Sequence, residues 1–391
     1  MIQFFKGAIT GAMALILILS IAMPANSQDW GEKIHVHGFI SQGYIDSDAN
    51  NFLGNSKDGT FDFTEIGLNF QTMSGDRTKL GMQILQRNLG EYSSFAIDWA
   101  NAEYKISDKF SFKAGKIKLP FGLHNQRRDL DLVRTQILLP TGVYNETMRG
   151  ILNAATGVGL NGYVDSRYRL DYEVVMGSVD VDSDDDFLKS LFPLVFPTAT
   201  NAGLDIDKIW EAKFTWHSPI EGLRLAYNPG QADITLSGTQ SGTNFAFDAD
   251  VDSKILSLLY TRDNFTLTSE RMDMRFLMPT PTKTVKIEPY SWYVGATYRR
   301  TDFFEFGLYR SEYFTNKSDK QGNMFKLVGA QDFRAWLKDT CLSLRFDITD
   351  NYIVKAEYHR MNGVANLIGI YNPQGYIQNW DLFVLKTTFS F

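Results

Sequence analysis

The property that most constrains this chain is a period-two alternation of apolar and polar residues along almost its whole length. Ile66-Leu68-Phe70 alternate with Gly67-Asn69-Gln71, and Leu80-Met82-Ile84 repeat the pattern after the turn residues Ser74-Gly75-Asp76. The same rhythm returns in Phe110-Phe112-Ala114, Tyr168-Leu170-Tyr172-Val174-Met176, Trp210-Ala212-Phe214-Trp216, Tyr290-Trp292-Val294-Ala296-Tyr298 and Thr340-Leu342-Leu344-Phe346. Successive side chains of a strand point to opposite faces, so each segment reads as a strand with one apolar and one polar face. These segments run to about 9–12 residues, longer than the 5 or 6 usual in soluble sandwiches and matched to a tilted crossing of a bilayer. Composition agrees with β-structure rich in turns: 31 Gly and 54 aromatics stand against 11 Pro.

A different pattern opens the chain. Lys6 precedes an apolar core, Ala12 to Met23, which Pro24 interrupts before the small residues Ala25-Asn26-Ser27. This is the layout of a cleaved secretory leader, residues 1–27, and the core is too short for a membrane-spanning helix. Removing Lys6 takes the formal charge from −6 to −7, with no basic excess to attract nucleic acid. Cys341 is the only cysteine, which excludes a disulfide scaffold and suits an oxidising compartment. No later segment reads as a transmembrane helix. An exported chain of alternating strands is a soluble β-protein or a membrane barrel.

The connections favour the barrel. Short turns fall at 73–78, 107–109, 165–167, 218–222, 262–264, 300–302 and 347–351. Longer segments fall between them at 45–60, 88–94, 118–156, 178–208, 228–250, 276–289, 312–339 and 362–379. Seven turns and eight loops join 16 strands, an even number with short connections on one side and long ones on the other. The predicted fold is all-β: one transmembrane antiparallel β-barrel over residues 28–391, about 16 strands, with short periplasmic turns and long extracellular loops. Closing Ile34–Tyr44 against Trp380–Phe391 would leave no strand edge exposed to lipid. In the last strand Phe383, Leu385, Thr387, Phe389 and Phe391 share one face.

Together these features resemble a Gram-negative outer-membrane porin. The run Phe110 to Leu123 (FSFKAGKIKLPFGL) is similar to one in the wider porin-like group that includes phosphate-selective porins, where a strand ends in Gly-Lys before a loop carrying Pro-Phe-Gly. The resemblance implies a location in the outer membrane among lipid and lipopolysaccharide, a homotrimer, and a third loop folded inward to narrow the lumen.

That loop, 118–156, carries Lys118, Arg127, Arg128, Arg134 and Arg149 against Asp129, Asp131 and Glu146, an excess of two positive charges. With Lys116 just ahead, these six bases are the candidate pore constriction, because guanidinium stays charged at any working pH and low-dielectric walls focus its field on anions. The competing possibility is that Arg127 and Arg128 pair with Asp129 and Asp131 and only pin the loop. The polar faces of the strands add eight acids and ten bases, a wet lumen suited to hydrophilic solutes.

Other motifs carry less. Gly157-Val158-Gly159-Leu160-Asn161-Gly162 matches a dinucleotide fingerprint but continues as a strand with no helix to receive a pyrophosphate. The run from Asp180 to Asp186 begins like a calcium loop but places Asp185 where glycine is needed. His35 and His37 share a face without a third ligand. A barrel-borne hydrolase would need a Ser, a His and an orienting polar partner on neighbouring strands; Ser343 with His359 is such a pair, and nothing in the sequence favours it. No catalytic residue, metal or cofactor is expected, and most of the seven tryptophans read as interfacial girdle. The expected function is passive diffusion of small hydrophilic solutes or ions, with mild anion preference. The alternatives are a barrel sheathing an electron-transfer or secretion partner, or a filled structural barrel.

Overall fold

The computed structural model describes residues 34–89, 92–165, 167–181, 188, 198–279 and 284–391. The leader call, 1–27, and most of the acidic and apolar run 180–197 lie outside these residues.

Seventeen strands form one sheet: β1 (Ile34–Ser47), β2 (Thr60–Ser74), β3 (Thr78–Leu89), β4 (Tyr92–Ser107), β5 (Phe110–Lys118), β6 (Ala154–Val164), β7 (Leu170–Asp180), β8 (Thr200–His217), β9 (Leu223–Gln240), β10 (Thr243–Arg262), β11 (Phe265–Pro279), β12 (Thr284–Ile287), β13 (Tyr290–Arg299), β14 (Phe304–Phe314), β15 (Trp336–Thr349), β16 (Tyr352–Gly363) and β17 (Asn379–Ser390). All pairings are antiparallel between chain neighbours, and β1 pairs with β17 from Phe39↔Ser390 to Ser47↔Leu382, so the sheet closes. Both β12 and β13 pair with β11 and are separated only by Glu288-Pro289, so they make one stave of a 16-strand barrel.

Side-chain parity separates outside from inside. On β17, Phe383, Leu385 and Phe389 are exposed while Trp380, Leu382, Val384, Lys386 and Thr388 between them are buried. The same division puts Phe306 and Leu308 of β14 and Leu342 of β15 outside. An apolar outer wall around a closed sheet is the construction of a transmembrane barrel of the outer-membrane type. Inside, among the described residues, lie two apolar clusters. One gathers Phe52, Phe63, Leu138, Trp380 and Leu382; the other gathers Phe121, Tyr144, Ile206, Ile209 and Ile255, with Leu188 fully buried in it.

The seven short turns fall where the sequence places them, but three of the long loops do not exist as loops. Segment 228–250 is the continuous hairpin of β9 and β10, paired up to Gln240↔Thr243 around Ser241-Gly242. Pro229, Gly230 and the glycines near the tip look like loop residues, yet Pro229 and Gly230 lie within β9, where a Cβ on Gly230 would meet the Glu211 carboxylate end. Segment 88–94 is likewise a hairpin, paired down to Leu89↔Tyr92, and 276–289 is mostly the β11–β12 ladder. Two tryptophans also leave the expected girdle. Trp380 is buried against Phe52, and the Trp99 indole donates inward to Gln83 (3.1 Å).

Candidate functional site: a loop folded across the lumen

Residues 119–153, between β5 and β6, turn into the barrel and meet its wall on three sides. The loop enters through Pro120-Phe121-Gly122. Gly122 has φ +58°, and a Cβ there would fall 2.3 Å from the Tyr144 hydroxyl and 2.9 Å from Glu270, so only glycine fits this turn. Its carbonyl accepts from Lys213 Nζ of β8 (2.6 Å), and the Pro120 carbonyl accepts from Asn228 of β9. Glu270 of β11 accepts from the Leu123 amide (2.9 Å), Ser257 (2.7 Å), Tyr293 (2.8 Å) and the Tyr144 hydroxyl. A buried carboxylate with four donors is a strong local anchor.

The far end of the loop is held by β14–β17. Both oxygens of Glu357 accept backbone amides, from Ile137 and Leu138 (2.9 Å each). Arg345 donates to the carbonyls of Leu132 (2.7 Å) and Arg134 (3.1 Å), Lys355 to that of Asp131 (2.6 Å), and Thr135 to Glu305. The Asp131 carboxylate is ringed by Lys386 (2.5 Å), Arg134 (3.1 Å) and Lys355 (3.6 Å).

On the β3–β4 side the loop's charges close a second lattice. Asp98 is the extra residue of a bulge in β4, where Ile84 pairs with Ile97 and Gln83 with Trp99. The bulge aims Asp98 inward. There it binds Lys118 (3.1 Å) and Arg149 (2.9 Å), and Asp129 binds the same two cations. Next to this quartet Glu146 bridges Arg87 (2.7 Å) and Arg128 (3.0 Å), and Arg87 also holds Glu65 (2.6 Å). A cavity of about 180 Å³ lies on the long-loop side, lined by Arg87, Asp98, Glu146 and Arg149. Another of about 450 Å³ lies toward the short turns, lined by His37, Gln83, Trp99, Glu103 and Lys118. The Asp98–Lys118–Asp129–Arg149 quartet stands between them.

Of the six candidate bases, Lys118, Arg128, Arg134 and Arg149 are brought together inside the barrel, each ion-paired. Arg127 is exposed on the loop with no ion pair among the described residues, and its own neighbours Asp129 and Asp131 are taken by other cations. Lys116 shares the outward row of β5 with Phe112, and its Nζ donates to the Ile97 carbonyl (2.8 Å), yet it also lines the smaller cavity beside Asp98 and Arg149. Asp98 is the participant that sequence reading missed; the signal was the broken alternation across Ile97-Asp98-Trp99. Lys355, Lys386, Glu65 and Arg87 belong to the expected lumen set, but nothing local in sequence marks them as partners of this loop.

Electrostatics in the loop follow from these contacts. Burial opposes ionisation of Glu146, but Arg87, Arg128 and Arg149 outweigh it and hold the carboxyl well below its usual range. Asp129 is lowered against the same penalty by Arg149 and Lys118, and Asp131 by Lys386, Lys355 and Arg134. His124 is pushed down to about 3 by burial, aided by Arg134 and Lys213, so it is neutral.

The remaining motifs resolve simply. The glycine run 157–162 lies within β6, where a Cβ on Gly157 would strike the Met176 carbonyl at 2.0 Å. Ser343 donates to Glu357 (2.8 Å), while His359 contacts Asp339, Glu357 and Cys341.

No protein-family model matches this sequence, and no curated protein does. Solved structures do match its fold. OprB of Pseudomonas putida aligns with TM-score 0.58 at 11% identity, covering 93% of this chain and 96% of that one. OmpT, an outer-membrane protein of Vibrio cholerae, gives 0.57 at 11% over 92% and 97%. An anion-selective porin from Comamonas acidovorans gives 0.56 at 11% over 92% and 99%. The fold is that of the porin-like outer-membrane barrels.

Proposed function

We propose that this chain is an outer-membrane channel, not an enzyme, through which small hydrophilic solutes diffuse passively with a mild preference for anions. One observation carries the reading: a loop crosses the lumen between two polar cavities, and the charges at the crossing are in basic excess. The loop's own charges, Lys118, Arg127, Arg128, Arg134 and Arg149 against Asp129, Asp131 and Glu146, carry that excess of two, set in a low-dielectric wall whose acids and bases otherwise offset each other. Arg127, exposed and without an ion pair among the described residues, presents a guanidinium within reach of the passing solute. Lys116, Lys118, Arg127, Arg128, Arg134 and Arg149 are the proposed constriction, with Lys116 on the wall of the smaller cavity. Export by the leader 1–27, assembly as a homotrimer and contact with lipid and lipopolysaccharide complete the proposal; one of the similar structures is a trimer form of Vibrio cholerae OmpT.

The test is the reversal potential of the purified protein in a planar bilayer under a salt gradient. Stepwise conductance with an anion-favouring potential, reduced by Arg127→Gln, supports the reading. A cation-favouring potential keeps the channel and discards the constriction assignment. A second reading, a filled structural barrel or partner sheath, is favoured by the two apolar clusters that occupy the interior. It takes over if folded, heat-modifiable protein gives no conductance.

A further inference from the structure

On the inner wall, β15 and β16 bring the chain's single cysteine into a cluster that channel function does not use. Cys341 pairs across the ladder with His359, and both are fully enclosed. The thiol Sγ lies 3.7 Å from His359 Nε2, and that nitrogen lies 3.3 Å from Glu357 Oε2. All three donor atoms fall within 4.8 Å of one another.

We propose that Cys341, Glu357 and His359 form a site for a zinc-class divalent cation that ties the barrel wall to the lumen loop. Three features of the cluster fit that use. The first is chemistry: thiolate, imidazole and carboxylate are the donor set of protein zinc. The second is spacing. Bonds of about 2.0 Å to nitrogen and oxygen and about 2.3 Å to sulfur give tetrahedral edges of about 3.3–3.6 Å. The Nε2–Oε2 and Sγ–Nε2 separations match these to about a tenth or two of an ångström, and the thiol–carboxylate edge, within 4.8 Å, closes by a small turn of the Cys341 or Glu357 side chain. The third is orientation. Nδ1 of His359 lies 3.1–3.2 Å from both oxygens of Asp339, and Asp339 accepts from Tyr309 (2.7 Å). A carboxylate on the far nitrogen fixes the ring so that Nε2 carries its lone pair toward the site, as in carboxylate–histidine–zinc arrangements. The fourth position faces Ser343 Oγ, 3.4 Å from the sulfur, leaving it to that hydroxyl or to water.

Binding displaces one proton, the thiol hydrogen that lies between Sγ and Nε2, and it leaves to solvent while the cation takes its place. Glu357 also accepts the Ile137 and Leu138 amides, so a bound ion would brace the loop through one carboxylate. This inference does not depend on ion selectivity or on conductance.

The experiment is metal analysis of the folded, detergent-solubilised full chain after refolding with zinc or cobalt and exhaustive dialysis. One equivalent per chain is expected, with a thiolate-to-cobalt charge-transfer band in the cobalt form. Cys341→Ser should lose the band and lower retention at least tenfold, whereas a His35→Ala/His37→Ala double variant should keep both. A second measurement needs no variant: titrating the zinc form with an organomercurial should release one zinc per thiol modified. Substoichiometric metal in folded wild type, equal retention by Cys341→Ser, or thiol modification without zinc release would each overturn the site.

Discussion

Arg128 and Arg127 are adjacent in sequence and opposite in circumstance. Arg128 is buried and paired with Glu146, whose other partner is Arg87; Arg127 is exposed. Removing one partner of a buried ion pair strands the other charge, at a cost of about 3–5 kcal/mol. Arg128→Gln should therefore loosen the loop and turn steady single-channel current noisy. Arg127→Gln should leave current steady and shift only the reversal potential. Gly122→Ala forces a Cβ onto the Tyr144 hydroxyl in a left-handed turn and should resemble Arg128→Gln in the same recording. Partners such as Glu357 and Leu138 stand more than 200 residues apart, so no local pattern in the sequence could reveal them. The basic character of the loop was legible; which of its bases would be spent on pairing was not.

At the scale of the loop, acid is the condition that should release it. Glu146, Asp129 and Asp131 have folded pKa values below their released ones, so their stabilisation is present above the ordinary carboxylate range and is lost as pH falls through the folded values. His124 acts with the same sign. Its folded value of about 3 lies below that of a free imidazole, about 6.5, so the released loop gains a proton first as pH drops through that window. Conductance recorded from pH 8 downward should be flat near neutrality and become larger and noisier below about pH 4, reversibly. The strands themselves were readable because parity survives in residues such as Phe383, Leu385 and Phe389. It failed where Pro229 and Gly230 disguise β9, and where the Asp98 bulge breaks the count in β4.

For the whole molecule the decisive property is the division between outer and inner rows. A charged residue on the lipid face near the membrane midplane costs about 2–4 kcal/mol. Leu385→Arg should lower barrel stability by that order in a denaturant titration in lipid vesicles. Leu385→Phe should be neutral. Closure was predictable from the first and last strands, and the structure shows it down to the reciprocal backbone bonds of Gly38 with Phe391 (3.0 and 3.1 Å). What a linear reading could not anticipate is how full the interior is, because Trp380, Leu382 and Val384 meet Phe52 and Leu138 only once the barrel has closed.

The far anchors of the lumen loop also impose an order of events. Glu305, Arg345, Glu357 and Lys386 all lie on β14–β17, the last strands of the chain, while the loop they hold follows β5. During assembly the far end of the loop has no seat until those strands arrive, while its entry can already rest on β4, β8, β9 and β11. That end of the loop is therefore the last part of the molecule to acquire its shape, and a barrel caught before closure would hold its crossing loop by one end only.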